Sequence, residues 1–311
     1  MAESAPVISV LICTRNRSEK VEVAVRSILD NTFTDFELLI VDQSTDGGTA
    51  AVMRRFDDQR IRYIHTDTVG LSRSRNIAIR ESRAEIIAFT DDDCICDSEW
   101  LACIVAEFEA DPSLSGVYGR VLSYGEARKG MICHCLIDAP ERLTVAEPII
   151  PFEVLGHGNN MSFRKSVFRS VGLYIESLGA GTWMKGGEDT ELIYRALRKR
   201  LKFSYTPAPL VYHDNWMPEA RAAQLECGYI LAAVAVFTSF ALRLDTNAAG
   251  HVLYRGRLIL ERIIYFALHR ESENLRQSFV MLKWYFIGLA MGLRYFLVPP
   301  PHFSAGAAKA N

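Results

Sequence analysis

Three consecutive carboxylates, Asp91, Asp92 and Asp93, follow the apolar run Ile86-Ile87-Ala88-Phe89. Hard divalent cations prefer oxygen ligands, and a cation that also bridges a diphosphate needs only one or two carboxylates from the protein. Open α/β sheets take their ligands beyond the carboxyl ends of their strands, so acids in this position suit such a cation. A polar loop capping the next helix, at Asp97 or Ser98, has the same composition. A second acidic pair, Glu188-Asp189, follows Gly186-Gly187 at the start of a predicted helix. In isolation, two acids there complement the helix dipole, worth about 0.3–1 kcal/mol.

These groups must be positioned by the elements around them. Residues 7–12, 36–41, 62–65 and 85–89 read as short, β-branched strands, and 19–29, 49–56 and 72–80 read as helices between them. This alternation predicts an α/β fold with a mostly parallel, doubly wound sheet flanked by helices, for which a nucleotide is a natural ligand. Thr14 and Arg15 follow the first strand, and Asp42 and Gln43 follow the second. Both pairs are therefore expected at one carboxyl-edge crevice. Further on, 100–109, 166–171 and 188–200 read as helices, and 115–122, 160–164, 202–205 and 208–212 as strands. His213 ends the last of these. Residues 123–157 show weak periodicity and read as a variable excursion.

The 311 residues suffice for one catalytic domain plus an appendage, and a net charge of −2 gives no reason to expect nucleic acid. Residues 219–311 hold ten Lys/Arg against six Asp/Glu, which leaves residues 1–218 at −6. That basic stretch is also apolar: 227–242 has no charge, and 279–298 is interrupted only by Lys283 and Arg294. A spanning helix needs about 20 apolar residues, so a helical anchor lying in the membrane plane fits better than a span. A packing layer or dimer contact is the other reading of these helices. Seven cysteines, an odd number, do not form a secreted disulfide framework and suit a reduced compartment. Cys133-His134-Cys135 lacks the separated pairs of a structural zinc site. Residues 1–6 carry no charged or apolar targeting signal.

Five segments together resemble the family 2 glycosyltransferases. They are Ser9-Val10-Leu11-Ile12-Cys13-Thr14-Arg15-Asn16-Arg17, Val41-Asp42-Gln43-Ser44-Thr45-Asp46-Gly47, Gly70-Leu71-Ser72-Arg73-Ser74-Arg75-Asn76, Thr90-Asp91-Asp92-Asp93, and Gly186-Gly187-Glu188-Asp189 with His213. Each is weak alone, but five in the family's order at compatible spacing are specific. The resemblance runs from Val7 to about His213. It implies a GT-A type nucleotide-binding domain over residues 1–218, followed by a C-terminal apolar helical region over 219–311 that associates with a membrane or dimerises.

The resemblance also implies roles. Thr14, Arg15, Asp42 and Gln43 would hold the nucleobase and ribose; relatives often carry a second Asp where Gln43 stands, so the base is left open. Arg75 would meet the donor diphosphate, for which a guanidinium fork is suited, with Asp91 and Asp92 beside it. Asp93, Asp91 and His213 would bind Mn²⁺ or Mg²⁺. Asp189 would be the general base, with Glu188 orienting the acceptor, as one base and one assisted leaving group suffice for a single displacement with inversion. The segment from Gly156 to Arg164 would line the sugar and acceptor pocket through Asn159 and Asn160. Trp183 either stacks on a sugar or sits in the core.

The expected function is transfer of a sugar from a nucleoside-diphosphate sugar to an acceptor hydroxyl with inversion, in cell-envelope or polysaccharide synthesis. The acceptor would be a glycan or lipid-linked glycan. The expected location is cytoplasmic, peripheral at the inner membrane face through residues 219–298. A sugar nucleotidyltransferase is the first rival, but Cys13-Thr14-Arg15-Asn16-Arg17 lacks the Gly-rich loop it would need. The second is an inactive nucleotide-sugar-binding protein at the membrane.

Overall fold

The computed structural model describes residues 5–148 and 155–298. Residues 149–154, part of the expected variable excursion, lie outside the described residues, as do 1–4 and 299–311. The chain opens with β1 (Ile8–Thr14), α1 (Ser18–Leu29), β2 (Phe36–Asp42), α2 (Gly48–Met53), β3 (Ile61–His65), α3 (Leu71–Glu81) and β4 (Ile86–Asp91). After β4 come β5 (Cys94–Cys96), α4 (Trp100–Ala110), β6 (Leu114–Ser123), β7 (Met131–Cys133), β8 (Leu143–Val145), β9 (Asn160–Arg164) and α5 (Ser166–Val171). The remainder is α6 (Glu188–Arg198), β10 (Lys202–His213), β11 (Trp216–Pro218), α7 (Glu219–Ala241), α8 (Thr246–Leu268) and α9 (Ser272–Leu297).

The main sheet runs β3-β2-β1-β4-β9-β6-β10-β5, with β8 also on β10. β3, β2, β1 and β4 are mutually parallel, whereas β9 enters antiparallel between β4 and β6. β1 and β2 are buried along nearly their whole length, as strands covered on both faces must be. One face packs on α1 and α4 through Val21, Val25, Ile28, Trp100 and Ile104. The other packs on α3, α5 and α6 through Ala78, Phe168, Leu192 and Leu197. That second cluster continues into α7 through Ala232, Val236, Phe237 and Phe240. The C-terminal helices are thus anchored in the core of the sheet domain.

Three local differences from the sequence reading bear on the site. Residues 202–213 form one strand interrupted by an irregularity between Tyr205 and Leu210, in place of two strands. Cys94–Cys96, in a stretch expected as loop, pairs antiparallel with β10, with His213 opposite Cys94. Between the two expected apolar runs of the tail stands a further long helix, α8. All seven cysteines are free. Two described helices are long and apolar enough to cross a membrane: α7, 61% buried over its most apolar window, and α9, only 22% buried.

Candidate active site

The register of the parallel strands brings the predicted residues to one edge. Thr14 lies opposite Asp42 at the ends of β1 and β2, and Cys13 lies opposite Asp91 at the end of β4. The β5 pairing then carries His213 back beside Asp93, where Nε2 stands 3.3 Å from Oδ1. The His213 Nδ1 lies 2.8 Å from the His134 carbonyl oxygen, an acceptor, so Nδ1 carries a proton; Nε2 faces Asp93, donating to it when protonated and free to offer its lone pair to a cation when not. Asn159 Nδ2 is also 3.3 Å from Nδ1, but the shorter contact to the carbonyl governs the tautomer.

The three acids differ in surroundings. Asp92 accepts from the Thr14 hydroxyl at 2.6 Å and from Arg17 Nη1 at 2.6 Å. Its burial nevertheless pushes its carboxyl up to about 7. Asp93 is buried as well, but the hydrogen bond and charge of His213 and the Arg17 guanidinium hold it down at about 2. Arg17 Nη2 donates to Asp93 Oδ2 at 2.5 Å. Asp91 is partly exposed and faces Arg75 at 3.8 Å.

Arg75, on the first turns of α3, is buried and donates through Nη1 to Asp189 Oδ1 at 2.6 Å. The same nitrogen is 3.7 Å from Glu188, and the guanidinium sits over the rings of Phe89 and Tyr174. Arg75 is therefore engaged with the acidic pair on α6. Glu188 and Asp189 begin α6 after Gly187, whose φ of 86° is a conformation that glycine adopts without strain. Burial, reinforced by the charge of Asp189, pushes Glu188 up to about 7.

The remaining candidates divide. Asp42 is buried, accepting from Tyr63 Oη at 2.6 Å and from the Ser44 backbone N–H. Gln43 is closed into the fold: its amide donates to Thr68 and to the Gly70 carbonyl and accepts from the Gly70 N–H. Arg15 is exposed. Asn159 lines the site, whereas Asn160 lies behind it, accepting from Trp100 Nε1 and donating to the carbonyls of Arg120 and Pro209. Trp183 is 59% exposed on the loop before α6, which excludes a core role, and it does not line the cavity.

Three contributors were not legible as site residues. Arg17 bridges Asp92 and Asp93; its place after the first strand was the available signal. His134 acts through its carbonyl, which no sequence pattern marks. At Gly158 a Cβ would fall 2.2 Å from Asp189 Oδ2 and 2.6 Å from Arg75 Nη2, so only glycine leaves room for that pair.

Asp91, Asp93, His213, Arg75, Glu188 and Asp189 share one cavity of about 1120 Å³. Asp93 and His213 supply a carboxylate and an imidazole, and the neighbouring Asn159 Oδ1 is buried without a hydrogen-bond partner. Cys94 completes a compact group with them; burial pushes its thiol well up, and sulfur is a soft donor that suits a hard cation less well than the oxygen and imidazole groups. An oxygen and nitrogen donor set of this kind fits Mn²⁺ or Mg²⁺.

Comparison with known proteins agrees with this geometry. The sequence pattern of Glycosyl transferase family 2 matches residues 9–171. The chain belongs to this family. It is 27% identical over 180 residues to a glucosyl-dolichyl phosphate glucuronosyltransferase of Haloferax volcanii, covering 55% of this chain and 57% of that protein. A pre-mycofactocin glycosyltransferase of Mycobacterium tuberculosis is 26% identical over 49% of this chain and 31% of its own length. The chain thus spans between a third and about half of the length of these relatives. Among solved structures, the mannosyltransferase PcManGT of Pyrobaculum calidifontis, in complex with GDP-Man and Mn²⁺, superposes with a TM-score of 0.58 at 18% identity, over 95% of this chain and 88% of that one. That likeness establishes the GT-A type fold.

Proposed function

We propose that the protein is a metal-dependent, inverting glycosyltransferase that uses a nucleoside-diphosphate sugar. The observation that carries this reading is the placement of Asp93 and His213 in one cavity with an Asp189 held by Arg75. Membership in the family and the Mn²⁺ complex of the mannosyltransferase support it.

The acceptor hydroxyl forms its bond to the anomeric carbon as the bond from that carbon to the diphosphate oxygen breaks. Its proton passes to Asp189, and the nucleoside diphosphate leaves. Attack from the face opposite the leaving group inverts the anomeric centre. Arg75 keeps Asp189 oriented. Asp93 and His213 would hold Mn²⁺ or Mg²⁺, with Asp91 adjacent, and the cation would neutralise charge on the departing diphosphate. Thr14 and Asp42 stand at the strand ends where the nucleoside would lie.

Residues 1–218 would carry the chemistry and 219–311 the acceptor side, in cell-envelope or polysaccharide synthesis. Exposed Leu253, Leu260, Ile264 and Leu268 on α8, and Phe279 and Phe286 on α9, support peripheral contact with the inner membrane face. Flotation of the full chain with anionic vesicles checks this placement; a protein left wholly in the dense fraction would refute it.

Calorimetric titration with uridine, guanosine, thymidine and cytidine diphosphates, with and without Mn²⁺, tests the donor site in wild type and Asp93→Ala. Selective, Mn²⁺-dependent binding of one nucleotide, lost in the variant, is expected. A folded protein that binds none of them would instead be the inactive member of the family.

A further inference from the structure

Among the described residues, two arginines of the sheet domain line the cavity, Arg17 and Arg75, and they are held very differently. The Arg75 side chain is only 4% exposed, its Nη1 is engaged by Asp189, and its guanidinium sits over Phe89 and Tyr174. Turning it toward a donor diphosphate would release Asp189. Arg17 follows β1, at the carboxyl edge that also carries Thr14, Asp42 and Asp91, and its side chain is 42% exposed. Among the described residues its hydrogen bonds run from Nη1 to Asp92 Oδ1 and from Nη2 to Asp93 Oδ2. A guanidinium carries five N–H groups, so further donors are left for a ligand. The two acids are each 4% exposed, and they hold the fork in place before any ligand arrives. The oxygen of Asp93 that faces His213 is Oδ1, so a cation held by that pair need not displace Arg17 from Oδ2.

Resting on the transferase reading, we propose that the diphosphate contact implied by resemblance for Arg75 is made by Arg17, whose remaining N–H groups donate to oxygens of the donor diphosphate. Arg75 then stays with Asp189 while the donor binds. A planar fork fixed by two carboxylates suits phosphate oxygens better than a mobile ammonium would. The same contact serves the departing nucleoside diphosphate, where negative charge develops.

The test titrates inorganic pyrophosphate into the full chain at a Mg²⁺ concentration that saturates each protein, set from its Tm against Mg²⁺. Arg17→Gln is expected to weaken pyrophosphate binding about tenfold, and Arg17→Lys, which keeps the charge but not the fork, about threefold. Saturation removes any effect that acts only through cation affinity. Comparing Asp92→Asn with Arg17→Gln/Asp92→Asn repeats the measurement in a background without one of the counter-charges. The same tenfold loss is expected there, which keeps the test valid if Arg17→Gln alone fails to fold.

Pyrophosphate that fails to bind wild type, or that binds equally well with and without Arg17 in folded proteins, would overturn the proposal. A loss seen below Mg²⁺ saturation that vanishes at saturation would also overturn it, reducing Arg17 to a support for Asp93. Failure of the transferase reading registers separately, as Arg17-dependent pyrophosphate binding with no Mn²⁺-dependent binding of any of the four nucleoside diphosphates. A nucleoside diphosphate bound selectively, and equally well by Arg17→Gln, would leave that reading standing and remove Arg17 from the donor site.

Discussion

The Arg75 guanidinium donates to Asp189 at 2.6 Å and lies 3.8 Å from Asp91, so one buried cation joins the acid on α6 to the acid at the end of β4. The proposed base and the proposed metal side of the cavity are thereby fixed relative to each other by a single side chain. Arg75 also stacks over Phe89 and Tyr174, which leaves it little room to move.

Removing this cation leaves the buried Glu188 and the partly buried Asp189 without compensation. Breaking one partner of a buried pair costs about 3–5 kcal/mol, so Arg75→Ala should lower the urea midpoint strongly. Arg75→Lys keeps the charge but not the planar fork. It should remain closer to wild-type stability while losing at least about tenfold in kcat. Equal stability of Arg75→Ala and wild type would show that the pair is not structural.

Glu188 gives the site a pH signature. Its folded pKa of about 7 lies above the value of about 4.3 for a free glutamate. The folded state therefore binds more protons between these values, and this group's contribution to stability is full below the unfolded pKa and lost as pH rises through the folded one. Urea melts at pH 5 and pH 8 should show Glu188→Gln gaining stability relative to wild type at the higher pH. A difference between the two proteins that is independent of pH would mean that Glu188 does not titrate in this window.

How far the sequence carried depended on what kind of signal each part left. β1, β2 and β4 were legible because buried parallel strands are short β-branched runs, and their carboxyl ends placed Thr14, Asp42 and Asp91 together once the alternation was recognised. Cys94–Cys96 is too short to show a period, and its pairing with β10 is set by a partner more than a hundred residues away. Gln43 and Asn160 carry amides that suit a ligand equally well in composition; only the tertiary hydrogen bonds show them closed into the backbone. α8 was missed because its apolar face is broken by Arg255, Arg257, Glu261 and Arg262, residues that a window of hydrophobicity scores as interruptions.

Gly158 tests whether room beside the base matters. The nearest atom that its added Cβ would meet is the end of Asp189, which is partly exposed and able to swing away, so Gly158→Ala should fold. The displaced carboxylate would no longer sit where Arg75 holds it, and a shift of about an ångström at a catalytic group costs on the order of a hundredfold. Wild-type turnover in this variant would argue that Asp189 is not the base.

Arg17 separates a structural from an electrostatic account of the acidic cluster. Its two nitrogens neutralise Asp92 and Asp93 at 2.6 and 2.5 Å, although the side chain is 42% exposed. Arg17→Ala removes the cation shared by Asp92 and Asp93 and leaves Asp93 supported by His213 and Asp92 by the Thr14 hydroxyl, so the variant should be less stable in EDTA. A cation bound by Asp93 and His213 would relieve the same repulsion, and a ligand that binds only the folded state raises its apparent stability. The increase in Tm on adding Mn²⁺ should therefore be larger in Arg17→Ala than in wild type. An equal increase in both would show that the guanidinium and the cation act on different charges. A smaller one would mean that Arg17 helps to hold the carboxylates in the geometry the cation needs.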